Sequence, residues 1–296
     1  MFREKFINPT ETVLRPASRD DRNSLASLVH FETYVHRHMD YRPPLECVGK
    51  LPFSVLEKRG EILGALACPP DPPKIAWIRL FACAHQISPE RVWGMLWPEA
   101  LAQLEQAPDV QWAAAIPIQS WFERLVKQSH FEKTHHIVLL RWESQKLPEK
   151  PPKESPATIR PMTLDDMSGV QTVDQASFIP IWQNSQDYLE IAFRQASIAT
   201  VAEHEGRLVG YQISTSTPMG GHLARLAVAP DFQGHGVGYN LLYDLLKQFY
   251  RRGARAVTVN TQHNNLASMS LYERIGFKQT GETYPIYQFP LRSSRE

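Results

Sequence analysis

The sequence predicts a mixed α/β fold (an α+β mixed sheet) present twice in tandem, and three observations carry that expectation. The 296 residues, at roughly 150 per domain, suffice for two domains or one large one. The halves differ in composition: residues 1–150 hold 4 of the 15 glycines and 6 of the 7 tryptophans, while 8 of the 10 tyrosines come later. Beneath that difference the halves repeat. At an offset of 145, Leu14-Arg15-Pro16 falls on Ile159-Arg160-Pro161, and Asp20-Asp21 on Asp165-Asp166. At 146, Val55, Glu57, Gly60 and Gly64 fall on Val201, Glu203, Gly206 and Gly210. Leu80, Leu96, Leu125, Phe131 and Thr134 then fall on Leu226, Leu242, Leu271, Phe277 and Thr280 with no further gap. One inserted residue over about 120 positions marks a duplicated structural unit.

Each copy reads alike. A strand (13–15; 158–160) leads to a helix starting near the Asp pair, whose carboxylates suit a helix N-terminus. A hairpin follows, 54–58 with 61–68 and 198–204 with 207–214, turning at Gly60 and Gly206. Next come a strand (75–83; 222–228), a helix, a strand, a short helix and closing strands. Between the copies, residues 146–156 carry four prolines among charges and predict an extended spacer. The expected division is therefore 1–145, a linker at 146–156, and 157–296.

The bulk numbers exclude several classes. Lys plus Arg total 32 against 31 Asp plus Glu, which argues against a broad basic surface for nucleic acid or anionic membrane. No window approaches 18 uninterrupted apolar residues, and the start, Met1-Phe2-Arg3-Glu4-Lys5, lacks a signal-peptide core. Cys47, Cys68 and Cys83 have no metal-type spacing and are expected to be buried thiols, consistent with a cytoplasmic chain. Trp77, Trp93, Trp97, Trp112 and Trp121 are expected in packing, and the His36/His38 and His135/His136 pairs on the surface.

The sharpest local signal is the run from Leu226-Ala227-Val228 to Gln233-Gly234-His235-Gly236-Val237-Gly238. An apolar strand enters three alternate glycines, and Leu241, Leu242, Leu245, Leu246 and Phe249 then recur at helical spacing. Glycines ahead of a helix let backbone N–H groups converge on an anion, which the helix dipole favours. A phosphate or pyrophosphate is the expected ligand. Tyr239 stands where a dinucleotide fingerprint needs its third glycine, and no Gly-Lys-Ser/Thr is present for a Walker loop. Downstream, Asn265 begins a short helix that Gly276 ends, with Tyr272 one turn before the cap.

Together, the Gln233-x-x-Gly236-x-Gly238 loop and the Asn265-x-Ala267…Leu271-Tyr272…Gly276-Phe277 run resemble the GNAT acyl-CoA-dependent N-acetyltransferase superfamily, closely over 157–291 and through the repeat over 12–143. The resemblance implies two tandem GNAT-type folds and acetyl-CoA, or another short acyl-CoA, as cofactor. It implies that Leu226, Ala227 and Val228 pair with the pantetheine arm. The pyrophosphate would sit on Gln233, Gly234, His235, Gly236, Val237 and Gly238, and Asn265 would touch the arm. Val228 N–H would face the thioester oxygen, and Tyr272 would be the general acid for the leaving thiolate. His222 stands where one branch of the family has its basic carboxylate, with Glu203 and His263 as alternatives; Asn260 replaces the glutamate of another branch. The acceptor would be a small-molecule or peptide amine bound near 178–193, by a monomer or homodimer without nucleic-acid or membrane partners. Two other readings are an acyl-CoA-binding sensor without turnover and an acyltransferase resembling mycothiol synthase.

In the first copy the 146 offset sets Ile87, Ser88, Glu90 and Val92 against Gln233, Gly234, Gly236 and Gly238, and Val126 against Tyr272. No cofactor binding is expected there.

Overall fold

The computed structural model describes residues 12–39, 41–143, 146–147, 155–217 and 220–292, so most of the proline-rich stretch lies outside the described residues. Both copies begin with an arginine used in the same way. Arg15 donates to Asp21 (2.7 Å twice) and to Glu57 (2.7 Å); Arg160 donates to Asp166 (2.8 and 2.9 Å) and to Glu203 (2.8 Å). Each aspartate also accepts the backbone N–H three residues earlier, from Ser18 or Thr163, and so caps a 3-10 turn. The guanidinium holds both carboxyls below their ordinary range. The Asp pairs expected at helix starts thus tie the first strand, the hairpin and the first helix together.

The chain forms two compact units, one from Met1–Thr134 and Pro285–Glu296, the other from His135–Tyr284. The first contains β1 (Val13–Pro16), α1 (Arg22–Phe31), β2 (Tyr34–Arg37), β3 (Phe53–Lys58), β4 (Glu61–Ala67), β5 (Ile75–Trp77) and β6 (Leu80–Cys83). It continues with α2 (Pro89–Gln106), β7 (Trp112–Ala115), α3 (Ser120–Gln128) and the start of β8 (Glu132–Glu143). The second contains the rest of β8, β9 (Thr158–Pro161), α4 (Met167–Ser177), α5 (Gln186–Arg194), β10 (Ile198–His204), β11 (Arg207–Thr217) and β12 (Gly220–Val228). Then come α6 (Val237–Arg251), β13 (Ala256–Gln262), α7 (Leu266–Ile275) and the first part of β14 (Lys278–Pro290).

Sheet order is β1-β3-β4-β6-β2 in the first unit and β9-β10-β11-β12-β13-β8 in the second. The expected hairpins form. Arg59-Gly60 and Glu205-Gly206 all have positive φ, the two-residue turn that matches strand twist. A bulge stands at the same place in both, with Leu63 and Val209 the extra residues on the return strands.

Each copy ends in the other's unit. Ile137 to Glu143 of β8 pair antiparallel with Gln262 to Ala256 of β13, within the second unit. Tyr287 to Pro290 of β14 pair with Ala115 to Trp112 of β7, within the first. The expected division at 1–145, 146–156 and 157–296 differs from the compact units, which change at residues 134/135 and 284/285.

The first core stacks Trp93 on Trp97 at 5.6 Å, with Phe81, Phe122 and Phe131 around them, and Phe289 edges Trp97. The second sets Leu242, Leu245, Leu246 and Phe249 of α6 against Val257, Val259, Leu140 and Trp142. All three cysteines are buried, which pushes the Cys68 and Cys83 thiols up to about 12. The surface expectation for the histidine pairs is overturned. His36 is fully buried, stacked 3.9 Å from Phe122, and its Nε2–H donates to Ile78 O; burial lowers it to about 4 and keeps it neutral. His135 and His136 are half-buried against Trp182 and His263.

The strand exchange has a direct test. A chain cut within 148–154 should remain a 1:1 complex of its two pieces through gel filtration. Residues 157–296 expressed alone should aggregate, because β13 loses β8 and exposes a strand edge. A monodisperse 157–296 fragment with the unfolding midpoint of the intact chain would contradict this.

Candidate active site

The site begins where β12 leaves β13. The two run parallel only over Gly221–Leu223 opposite Val257–Val259. Beyond that, β13 continues against β8 and β12 continues against β11. Ala224 is an extra residue in β12, since Leu223 faces Ser214 and Arg225 faces Ile213. Ala229 N–H donates to Val209 O, and Val228 lies opposite Gly210. Val228 is therefore a non-hydrogen-bonded partner of Gly210, and its N–H and C=O point away from β11. By the same alternation those of Leu226 do too. The Val228 carbonyl accepts Ser177 Oγ and Gln233 Nε2, each at 3.0 Å.

The loop after β12 delivers the start of α6 to this opening. Gly234 (φ +76°) and Gly236 (φ +83°) occupy the left-handed region that side chains disfavour. Gly236 is the N-cap, with no side-chain cap, so the first amides of a 15-residue helix face outward. A Cβ on Gly238 would lie 3.3 Å from Leu271 and 3.5 Å from Val228, so this glycine brings α6, α7 and β12 together.

A cleft of about 440 Å³ results. Leu226, Ala227, Val228, Gln233, Gly234, Gly236, Gly238 and Asn265 all line it, with Ser177, Phe178 and Arg274. Two predicted residues do not. Val237 is buried toward Gly210, and the exposed His235 bonds Gln233 O through Nδ1. Asn265 does what its N-cap reading implies, accepting Ser268 N–H at 3.1 Å, while also facing the cleft.

Neither predicted proton carrier is among the residues that line the cleft. Tyr272 is buried beside Phe277, and burial raises its hydroxyl above the ordinary tyrosine range despite the nearby charge of Arg225. It stays protonated across neutral pH. His222 sits on the parallel-paired part of β12, with Nδ1 2.8 Å from Thr258 Oγ1, and burial lowers its pKa and keeps the ring neutral. Glu203 is held by Arg160, as Glu57 is by Arg15, and serves the scaffold. His263 is exposed, its backbone N–H donating to His136 O.

Sequence reasoning missed one cluster. Asp174 is fully buried and accepts Arg225 Nε (2.8 Å) and Nη2 (2.6 Å), the Tyr211 hydroxyl, and Asn184 N–H (2.8 Å). Arg225 also donates to Trp182 O and lies over the Phe178 ring at 3.7 Å. Desolvation and Asp174 together push Tyr211 up. The signal was present in α4, where Asp174 shares the buried face with Met167 and Val170.

In the first unit the same strand edge is filled. Sheet register sets Phe81, Ala82 and Cys83 opposite Leu66, Ala65 and Gly64, as Leu226, Ala227 and Val228 stand opposite Gln212, Tyr211 and Gly210. The offset here is 145, so Leu226 matches Phe81 rather than Leu80. Val92 packs on Gly64 as Val237 packs on Gly210, and the three loop glycines then match Pro89, Arg91 and Trp93. Against the far edge of β6 lies β2, pairing Tyr34 with Cys83, Val35 with Ala82, His36 with Phe81 and Arg37 with Leu80. Ser88 caps α2, its hydroxyl accepting Arg91 N–H. Later the offset returns to 146: Phe131 N–H reaches Val126 O as Phe277 N–H reaches Tyr272 O, and Val126 is buried.

The dual role of Asn265 can be separated. Asn265→Ala should lower the unfolding free energy by about 1 kcal/mol through the lost cap, while Asn265→Asp keeps it. Equal denaturation midpoints for Ala and Asn would remove the capping role.

Residues 167–277 match the Acetyltransferase (GNAT) family. The chain is 32% identical over 101 residues to the spore coat polysaccharide biosynthesis protein SpsD of Bacillus subtilis, covering 34% of this chain and 35% of that one. It is 32% identical over 75 residues to N-alpha-acetyltransferase 30 of Schizosaccharomyces pombe, covering 25% of this chain and half of that one. It thus spans about a third and a half of the lengths of these two relatives. A solved tandem GNAT protein from the clavulanic acid biosynthesis pathway superposes with a TM-score of 0.63 at 15% identity, over 96% of this chain and 100% of that one. Family match and fold agree: residues 167–277 belong to the Acetyltransferase (GNAT) family, within a chain whose fold is that of a tandem GNAT protein.

Proposed function

We propose that the chain is an acyl-CoA-dependent N-acyltransferase, with acetyl-CoA as donor, a primary amine as acceptor and the 157–296 copy catalytic. The observation that carries this reading is the cleft at the end of β12, where outward strand amides meet an uncapped helix N-terminus. The residues suit such a donor. Leu226 and Val228 offer an extended edge to an amide-bearing arm. The 233–238 amides and Arg274 offer donors and positive charge to a pyrophosphate.

Bound acetyl-CoA supplies the activated acetyl thioester. Val228 N–H donates toward the carbonyl oxygen as charge develops on it. Tyr272, protonated at neutral pH, donates to the departing sulfur. His222, neutral at pH 7, takes the proton that the amine sheds, directly or through water. The first copy lacks these groups, carries its own β2 on the corresponding edge, and binds no acyl-CoA.

Acetyl-CoA at about a hundred times its Kd should stabilise the protein by roughly 2.7 kcal/mol, read as a rise in Tm. Tyr272→Phe should keep that rise and cut free-thiol release, assayed across an amine panel, by about a hundredfold. Protonation silences His222, and its pKa is lowered, so the acid limb of kcat/KM should fall below pH 6.5 and vanish in His222→Gln. No rise in Tm would sink the acyl-CoA reading; full activity of Tyr272→Phe would remove the acid assignment.

A further inference from the structure

The segment from Phe178 to Asn184 joins α4 to α5 and borders the cleft at Phe178, beside Ser177. It is fixed to an unusual degree by two side chains outside it. Arg225 covers the Phe178 ring with its guanidinium at 3.7 Å and donates to Trp182 O. Asp174 accepts Asn184 N–H at 2.8 Å. The two then bind each other twice, and Tyr211 adds a third donor to the same carboxylate oxygen. Within the segment, Gln183 Nε2 donates to Phe178 O at 2.9 Å, so the loop is also closed on itself.

We propose that the Asp174–Arg225 pair is a positioning device that fixes residues 178–184 against β12 and thereby sets the wall of the cleft met by the acceptor amine. The proposal rests on the acyl-transfer reading above. Neither residue lines the cleft, so the pair acts through Phe178 and Trp182 rather than on reacting atoms. None of its hydrogen bonds goes to the 233–238 loop, so the loop amides are held independently of it. Chemistry explains the choice of residues. An apolar contact tolerates sliding, whereas a planar guanidinium with fixed donors selects one placement of a carbonyl, a carboxylate and a ring together. A fully buried Asp174 has no water to replace a lost partner, which makes the arrangement all-or-none. Trp182 also meets the His135 ring at 5.7 Å, a second contact on the same segment.

The test uses the full chain and three variants, Arg225→Gln, Arg225→Lys and Asp174→Asn. Amide hydrogen exchange should accelerate by about tenfold or more across 178–184 in Arg225→Gln, with 233–238 changing less than about twofold. Acetyl-CoA affinity by calorimetry should stay within about threefold. For the amine that turns over fastest in a set of glucosamine, spermidine and an alanine tripeptide, KM should rise more than kcat falls. Arg225→Lys, which keeps the charge and loses the fork, should recover part of the protection. Unchanged exchange at 178–184, or equal loosening of both segments, would overturn the proposal and leave the pair a general scaffold contact. If Arg225→Gln does not fold, Arg225→Lys and Asp174→Asn give the same comparison. Failure of the wild-type chain to bind acetyl-CoA would defeat the acyl-transfer reading instead, while the exchange data would still show whether the pair fixes the segment.

Discussion

A strand in the middle of a sheet must satisfy its N–H and C=O groups along both edges, and the two copies of this fold meet that demand differently. In the first, β6 pairs with β4 on one side and β2 on the other. In the second, β12 pairs with β11 throughout but with β13 only to Leu223. Among the described residues no strand lies along 224–228 on that side, and Leu226 and Val228 direct their amides into the opening. A main-chain edge of this kind suits an extended, amide-bearing ligand, much as a sheet edge takes a peptide.

The helix that follows repeats the contrast. Ser88 turns its hydroxyl onto the first turn of α2 and satisfies an amide within the protein. Gly236 has no side chain to do so, and the left-handed backbone at Gly234 and Gly236 turns the loop amides outward. Strand edge and helix N-terminus therefore change together: both closed in the first unit, both open in the second. The scaffold beneath stays constant, as the Arg15–Asp21–Glu57 and Arg160–Asp166–Glu203 networks show.

What was legible in the sequence was local chemistry. Positive φ at Gly60 and Gly206, the Asn265 cap, the Gly276 stop and the glycine loop each follow from one residue's own conformational or hydrogen-bonding preference. What was hidden depends on distant partners. Tyr34–Arg37 is too short and mixed to announce a strand, and only its pairing with β6 makes it one. The strand exchange left no trace because duplicated sheets offer nearly the same edge to either last strand. The one-residue slip at β6 was masked because Leu80 and Leu226 coincide at the 146 offset, and register alone revealed it. Asp174 read as a polar residue on a helix until Arg225, fifty-one positions later, came to lie against it.

One of the two copies keeps an open strand edge and the other does not. Titration of the intact chain with acetyl-CoA in a calorimeter tests it most directly. One molecule per chain is expected, with binding abolished by Gly238→Trp, which places in the second loop the side chain that the first copy carries at Trp93. Two equivalents per chain would contradict the account of β2 as an occupant of the first edge, and none would contradict the account of the second.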